Sequence, residues 1–215
     1  MIAAVIADIV RSRELDDRSR AQSAIHAAVA RAEADFPLAL APLTAVVGDE
    51  LQGEYPTIAA AAAALLLVRL NLPDGVDCRF GVGIGEVRPV EVDGRTIPEG
   101  PAWWAARTAI ERVEAMQQRA VPHARTWFEA QKNTDATVLE SVALANAYGL
   151  SRDQLVSSMS ERTRRLTYGR CLGRSQRELA ADEGITQSAV SQALASAGSV
   201  AIVEGFLALR AGVSS

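Results

Sequence analysis

Two acidic residues stand in a glycine turn between apolar segments of this 215-residue chain. The stretch AVVGDELQGEYP, residues 45–56, carries Asp49 and Glu50 where a hairpin would reverse direction. A third acid, Asp8, lies near the end of the first β-branched segment, residues 2–10. Because a strand end can lie beside a central hairpin, Asp8 and Asp49 can converge on one point. Paired carboxylates with water and phosphate oxygens suit Mg²⁺ or Mn²⁺, and two such ions can clamp the phosphates of a nucleotide.

These acids also have a purely structural interpretation, which the sequence leaves open. Asp8 would cap a helix, Asp49 would serve the hairpin turn, and Arg107 would pair with Glu111 four residues later. Glu50 is the weaker candidate ligand, since neighbouring side chains in a strand point to opposite faces.

Hydrophobic periodicity predicts the elements that would position the acids. They are a strand over 2–10, a helix over 17–34, a hairpin of 43–47 with 51–55, a helix from the Thr57 cap to about Leu70, a glycine-containing strand over 77–92 and a helix over 99–118. This β-α-β-β-α-β order is typical of ferredoxin-like α+β folds. A linking helix over 134–149, ended by Gly149, would lead into an all-α part. We therefore predict domains over 1–130 and 131–215.

The stretch SQRELAADEGITQSAVSQALASAG, residues 175–198, has the spacing of a helix-turn-helix. Ser175 and Glu178 would form a capping box, and Gly184 can take the left-handed conformation that the turn needs. The second helix would offer four polar side chains to a groove of DNA. These residues are Gln187, Ser188, Ser191 and Gln192.

Thr186 would cap that second helix, and Val190 and Leu194 would anchor it. A helical hairpin that only packs, or a dimerisation bundle, is the alternative interpretation.

Charge is distributed unevenly along the chain. The net charge is −4, yet residues 162–177 hold six arginines and no acid. Arginines in such a segment would neutralise phosphates and fix the register of the protein on DNA. The candidate phosphate contacts are Arg162, Arg164, Arg165, Arg174 and Arg177.

The composition points to a soluble cytoplasmic protein without a membrane partner. Hydrophobic residues make up 49% of the chain, enough for one sizeable core or a core with a small appended domain. The two cysteines lie far apart without metal-ligand spacing, which fits a reducing compartment. The apolar segment 58–72 is interrupted by Arg69 and is too short to span a bilayer.

The first half of the chain resembles the catalytic core of class III nucleotidyl cyclases over about residues 1–115. Four segments carry the resemblance in order: ADIVRS (7–12), VVGDELQGEY (46–55), CRFGVGIGEV (78–87) and GPAWWAARTAIE (100–111). The resemblance implies that Asp8, Asp49 and the Ile9 carbonyl hold paired Mg²⁺ or Mn²⁺ ions. It also implies that Arg107 stabilises charge on the transferring phosphorus of a nucleotide bound at a two-fold interface, hence a homodimer.

Two positions depart from the cyclase pattern. Trp103 stands where those enzymes have a transition-state asparagine, and Ala45 stands where a lysine reads adenine. A tryptophan could stack on a base or fill the pocket, but it cannot replace an amide that positions the ribose. Three interpretations stay open: a nucleotide or metal sensor without turnover, an active nucleotidyl-transfer enzyme, and a structural role for these residues.

The combination of this core with a C-terminal helix-turn-helix looks like the SatD family. The stretch ITQSAVSQAL is similar to recognition helices of bacterial regulators and of sigma-factor region-four domains. The leading hypothesis is a dimeric DNA-binding transcriptional regulator whose degenerate cyclase-like domain binds a nucleotide, a cyclic nucleotide or a divalent metal as effector. The alternative is a nucleotidyl cyclase, or a related metal-dependent nucleotidyl-transfer enzyme, with the helix-turn-helix as a tether.

Overall fold

A computed structural model describes residues 1–11, 17–88, 90–92 and 95–213. The strands are β1 (Ile2–Ile9), β2 (Ala41–Val47), β3 (Glu50–Tyr55), β4 (Cys78–Gly85), β5 (Val90–Val92), β6 (Arg95–Ile97) and β7 (Thr126–Ala130). The helices are α1 (Arg18–Asp35), α2 (Ile58–Asn71), α3 (Pro101–Arg119), α4 (Ala136–Ser158), α5 (Glu161–Cys171), α6 (Gln176–Glu183), α7 (Gln187–Ser196) and α8 (Ser199–Val213).

The central sheet has five strands in the order β2-β3-β1-β4-β7. The first six elements of the chain follow the predicted β-α-β-β-α-β order. In the sheet, β1 lies between β3 and β4 and is antiparallel to both. The two βαβ units therefore interleave. β7, which was not predicted, runs parallel to β4 and is reached through α3, as a parallel pair requires a crossover connection. The fold is thus a mixed α+β arrangement around one sheet.

Helix α3 packs directly on the backbone of β4. A Cβ atom added to Gly83 would lie 1.9 Å from the carbonyl oxygen of Ala102 and 2.3 Å from the amide nitrogen of Ala106. Only glycine permits this approach, which confirms the prediction that the glycine-containing strand packs closely against another segment. This contact fixes α3, and with it Arg107 and Glu114, relative to the end of β1.

The opposite face of the sheet carries most of the hydrophobic core. As predicted, Thr57 caps helix α2, and its side chain accepts a hydrogen bond from the Ala60 amide at 3.0 Å. Nearly every residue of α2 is buried, and its core cluster extends from Ala3 to Phe206. Buried side chains from both predicted domains, 1–130 and 131–215, therefore share one cluster.

Two predicted boundaries were wrong. The strand predicted over 77–92 ends at Gly85, and β5 pairs with β6 as a separate hairpin; residue 89 lies outside the described residues. Gly149 does not end the linking helix, because α4 continues to Ser158. A Cβ on Gly149 would lie 3.7 Å from the Thr126 carbonyl oxygen, so this helical glycine faces β7 instead of ending a helix.

The predicted local features of residues 175–198 are present. Ser175 and Glu178 form a reciprocal capping box at the start of α6, and Gly184 ends that helix with φ of 64°. Thr186 accepts from the Ala189 amide and begins α7. Val190 and Leu194 are buried in a small separate cluster with side chains of α5 and α6. These features establish the local geometry of the two helices, while DNA binding stays a prediction.

Within the described ranges, no single helix has the length and apolar composition needed to cross a membrane. Helices α7 and α8 meet the criterion only as a pair bent by 79°, by length and composition alone.

Candidate functional site

A pocket of about 820 Å³ lies where β1 ends beside the β2–β3 turn. Asp8 and Ile9 come from β1, Asp49 comes from the turn, and Glu114 comes from α3. The turn places Asp49 here because Gly48 adopts a left-handed conformation with φ of 61°. The candidate metal ligands Asp8, Ile9 and Asp49 thus line one pocket; we call it the carboxylate pocket.

Asp8 forms an ion pair with Arg79 of β4. The two residues are directly opposite in the β1–β4 register. Arg79 donates from Nε to Oδ1 and from Nη2 to Oδ2 of Asp8, both at 2.9 Å, and its Nη1 lies 2.9 Å from Glu114. Burial raises the pKa of Asp8 above its ordinary value; Arg79 opposes this rise, while the charges of Glu114 and Asp49 add to it.

Glu50 also lines the carboxylate pocket, and it binds Arg107, which is not among the residues that line the pocket. Arg107 donates from Nη1 and Nη2 to the two carboxylate oxygens of Glu50, both at 2.8 Å. These hydrogen bonds lower the pKa of Glu50, against the effect of its partial burial. Asp49 and Glu50 were expected to point to opposite faces of a strand. Asp49 instead lies in the turn before β3, so both side chains line the same pocket. Arg107 pairs with Glu50 instead of the expected Glu111.

The donor set of the pocket fits a hydrated Mg²⁺ or Mn²⁺ ion. In the part of the chain that the structure describes, no group of three or more His, Cys, Asp or Glu residues could hold a metal. Asp49 is held loosely, with Arg18 Nη2 at 3.9 Å, whereas both oxygens of Asp8 accept from Arg79. Magnesium commonly uses one or two carboxylates with water and phosphate oxygens. Arg79 competes with a cation for Asp8, because it occupies one acceptor position on each carboxylate oxygen and brings its own positive charge to 2.9 Å.

The structure places Trp103 in the core, in line with the alternative that it fills space. Its side chain is 7% exposed and packs in the core between α3 and the sheet, near Ala4 and Ile6. The neighbouring Trp104 is the exposed residue, at 62%. Trp103 therefore fills space beneath α3 and presents no free face on which a base could stack.

Arg164, one of the predicted phosphate contacts, makes several hydrogen bonds within the protein. Its side chain is only 12% exposed. Nη1 donates to the Met159 carbonyl at 2.9 Å, and Nη2 donates to the Leu72 carbonyl at 3.0 Å and to Asp74 at 2.8 Å. Arg164 thus ties α5 to the loop between α2 and β4, while a contact with DNA stays a prediction.

Three other predicted phosphate contacts are paired with acids. Arg165 donates bidentately to Glu183 at 2.8 and 2.9 Å, and Arg162 lies 3.7 Å from the same carboxylate. Arg174 donates to Asp182. The sequence interval 162–177 contains no acid, but the following residues of α6 supply them, and they neutralise much of the charge expected to meet phosphates.

Helix α7 presents an uncharged polar face. The four predicted base-reading side chains are exposed: Gln187, Ser188, Ser191 and Gln192. Arg177, on the preceding helix, is exposed as well. Val190 and Leu194 are buried on the other side of α7, so the polar face is held outwards by packing.

Sequence reasoning missed Arg79, which is the residue that most changes the site. A partial signal was present, because Arg79 precedes Gly81 by two residues and therefore shares the α3-facing side of β4. Asp8 follows Ile6 by two residues and shares the corresponding side of β1. Only the strand register places the two side chains opposite each other, and the register depends on tertiary pairing.

Comparison with known proteins identifies the family. The model of the SatD family matches residues 2–203. The chain belongs to the SatD family. The family match spans both the sheet and helices α1 to α7. No curated protein sequence matches this SatD-family chain.

Two solved structures similar to this SatD-family protein are adenylyl cyclases. One, titled "Structure of a bacterial light-regulated adenylyl cyclase", is 12% identical with a TM-score of 0.43, and the alignment covers 59% of this chain and 74% of that one. A second bacterial light-regulated adenylyl cyclase is 14% identical with a TM-score of 0.42, covering 59% of this chain and 42% of that one. Similarity at this level bears on neither activity nor ligand.

Proposed function

We propose that this SatD-family protein is a nucleotide-responsive DNA-binding regulator, whose carboxylate pocket binds a nucleotide together with Mg²⁺ or Mn²⁺. The observation that carries the proposal is the convergence of Asp8, Ile9 and Asp49 on one pocket. These residues lie on separate elements, and two carboxylates with a backbone carbonyl and water oxygens form a donor set suited to a hard divalent cation.

Asp8, Asp49 and the Ile9 carbonyl would hold the cation, which would supply positive charge for the phosphates of the nucleotide. Arg79 would leave Asp8 when the cation arrives, since both compete for the same oxygens. Arg79 would then be available to phosphate oxygens, which arginine binds bidentately. Arg107 does not line the pocket and would have to leave Glu50 to do the same. The resting ion pairs with Arg79 and Arg107 compensate the charges of Asp8 and Glu50 before a ligand binds.

We expect binding without ordinary cyclase turnover. At the position of the cyclase asparagine, Trp103 is buried beneath α3, and Ala45 stands at the position of the adenine-reading lysine. The site therefore has neither the ribose-positioning amide nor the base-reading ammonium group that the cyclase resemblance calls for. The alternative, a nucleotidyl-transfer enzyme, makes a cyclic nucleotide or pyrophosphate from an NTP, and chromatography of the reaction mixture detects both.

The DNA-binding part of the proposal is supported by α7. Its exposed polar face is uncharged, follows an αL glycine turn, and is long enough to enter a major groove. Because Arg162, Arg165 and Arg174 pair with acids, phosphate contacts would require these pairs to open. A dimer would place two copies of α7 on a palindromic site, with nucleotide binding changing their separation.

A thermal-shift panel tests the nucleotide part. Wild-type protein is heated with ATP, GTP, cAMP or cGMP, each with and without Mn²⁺, because a ligand that binds the native state raises the melting temperature. We expect a rise for at least one nucleotide that requires Mn²⁺ and that Asp49→Asn removes. Glu140→Gln, which changes an exposed acid of α4, is the matched control. No metal-dependent rise with any nucleotide would refute the proposed ligand class.

A further inference from the structure

A second pocket, of about 610 Å³, lies between the end of the sheet and the C-terminal helices. Its walls come from the loop between α2 and β4, the segment before β7, the end of α4, and α5. It adjoins the carboxylate pocket, with which it shares Val10, Arg11 and Gln117. We call it the arginine pocket, after three arginines of its walls: Arg69, Arg125 and Arg164.

The three guanidinium groups are held in place by the fold. Arg69 is 3% exposed; its Nη1 donates to Asp153 at 2.8 Å and its Nη2 to Ser157 Oγ at 3.1 Å. Arg125 donates to Asp77 at 2.6 Å and to two backbone carbonyls. Donors fixed in this way lose little conformational freedom when they bind a further acceptor.

Arginines outnumber acids among the described residues that line this pocket. Asp77 is the acid that faces Arg69 and Arg125, with Arg69 Nε at 3.6 Å from its carboxylate. Asp74 binds Arg164 at the exposed rim, where water screens its charge. Asp153, behind Arg69, also binds Arg152, so that acid is shared between two arginines. A protein of net charge −4 thus has a concave site with cationic walls.

Two donors of these side chains make no hydrogen bond to any described residue, although Arg69 Nε lies 3.6 Å from the carboxylate of Asp77. Nε of Arg69 and Nε of Arg164 are buried and make no hydrogen bond in the part of the chain that the structure describes. A buried charged donor without an acceptor is costly, and a bound anion that accepts from it removes that cost. Both donors belong to side chains that line this pocket.

We infer that the arginine pocket binds a tetrahedral oxyanion, either inorganic phosphate or the phosphate group of a phosphomonoester. Such a group supplies several acceptor oxygens at once and matches the fork geometry of guanidinium groups. Because Ser157 lies on α4 and Arg164 on α5, a bound phosphate would link both C-terminal helices to the end of the sheet. This site adjoins the proposed nucleotide site, uses different charged side chains for its ligand, and needs no divalent metal.

Isothermal titration calorimetry of the full chain with inorganic phosphate, in EDTA and at constant ionic strength, tests this inference. Ser157→Asp places a competing carboxylate next to Arg69. Ser158→Asp adds the same charge to the same helical turn, but at an exposed position that does not line the pocket. We expect saturable binding that Ser157→Asp weakens by about tenfold or more, the scale of a lost charge-assisted hydrogen bond, and that Ser158→Asp leaves unchanged.

Glycerol phosphate and sulfate form the other arms of the titration. Tighter binding of glycerol phosphate would assign the site to phosphomonoesters, whereas equal or weaker binding would assign it to free phosphate. Asp49→Asn should retain phosphate binding. Absence of saturable binding, equal weakening by the two serine variants, or loss of binding in Asp49→Asn would overturn the inference. None of these results would decide whether the carboxylate pocket binds a nucleotide, so the two proposals fail independently.

Discussion

Replacement of Arg79 by glutamine should make the protein less stable without metal and more responsive to metal. Arg79 makes two 2.9 Å hydrogen bonds to Asp8 and a third contact to Glu114. Removing one member of a fully buried ion pair costs about 3–5 kcal/mol. Since Asp8 is 28% exposed and water screens part of its charge, we expect a loss of about 2 kcal/mol. For a chain of this size that corresponds to roughly 4–8 °C in melting temperature.

Mn²⁺ should reverse much of this loss, because Asp8 is then free to act as a ligand. At a Mn²⁺ concentration 100 times the dissociation constant, binding to the native state adds about 2.7 kcal/mol to the free energy of unfolding. Differential scanning calorimetry at increasing Mn²⁺ concentration measures the response in wild type, Arg79→Gln and the double variant Asp8→Asn/Arg79→Gln. We expect the largest rise in Arg79→Gln and little or none in the double variant.

The reasoning would be refuted if Mn²⁺ raised the melting temperature of Arg79→Gln no more than that of wild type. Arg79 would then be a structural partner of Asp8 and not its competitor for a cation. A response of equal size in the double variant would place the metal somewhere other than at Asp8.

Three further outcomes follow from the geometry. Gly83→Ala should lower the free energy of unfolding in urea by at least about 3 kcal/mol, since its Cβ would meet backbone atoms of α3 at 1.9 and 2.3 Å. Gly149→Ala, whose Cβ would meet nothing closer than 3.7 Å, should be neutral or stabilising by up to about 1 kcal/mol. Equal effects of the two substitutions would contradict the packing described. Because burial raises the pKa of Asp8 in the folded state, the free energy of unfolding should fall as the pH rises from 3.8 through that raised pKa. Asp8→Asn should remove this pH dependence. The same pH profile of stability in wild type and Asp8→Asn would contradict the prediction. Gln192→Ala should weaken binding to a DNA sequence selected from a random library by about 1–3 kcal/mol. Ser196→Ala, at the end of the same helix, should leave this affinity unchanged. Identical affinities of the two variants would exclude α7 as the reading element.

The sequence was informative wherever a local pattern decides the structure. Thr57, Ser175 and Gly184 occupy cap and turn positions that depend on their own neighbours, and all three were placed correctly. The glycines of β4 correctly indicated a close backbone approach. Gly149 lies inside a helix and faces β7, but a Cβ there would come no closer than 3.7 Å to its neighbours, so it neither ends the helix nor marks a close approach. A glycine in a sequence does not show by itself which of these situations applies.

The candidate site was predicted less completely, because its key contacts join residues distant in sequence. Asp8 and Asp49 were selected by type and position. Their charge partners depend on strand register for Arg79 and on the packing of α3 for Arg107. The arginines of segment 162–177 did not predict the charge of the folded surface. Arg165 and Arg174 pair with acids near the end of α6, outside that segment. Net charge over a sequence interval is therefore a poor guide to the potential of a folded surface.

The most direct test of the central proposal is a titration of Mn²⁺ followed by electron paramagnetic resonance, in which bound ions lose the signal of free aqueous Mn²⁺. Wild type, Asp49→Asn and Glu140→Gln are compared, each alone and with ATP or GTP. We expect wild type and Glu140→Gln to bind Mn²⁺ more tightly when a nucleotide is present, and Asp49→Asn to lose that additional binding. Unchanged nucleotide-dependent binding in Asp49→Asn, or no binding in wild type, would contradict a metal-nucleotide site between β1 and the β2–β3 turn.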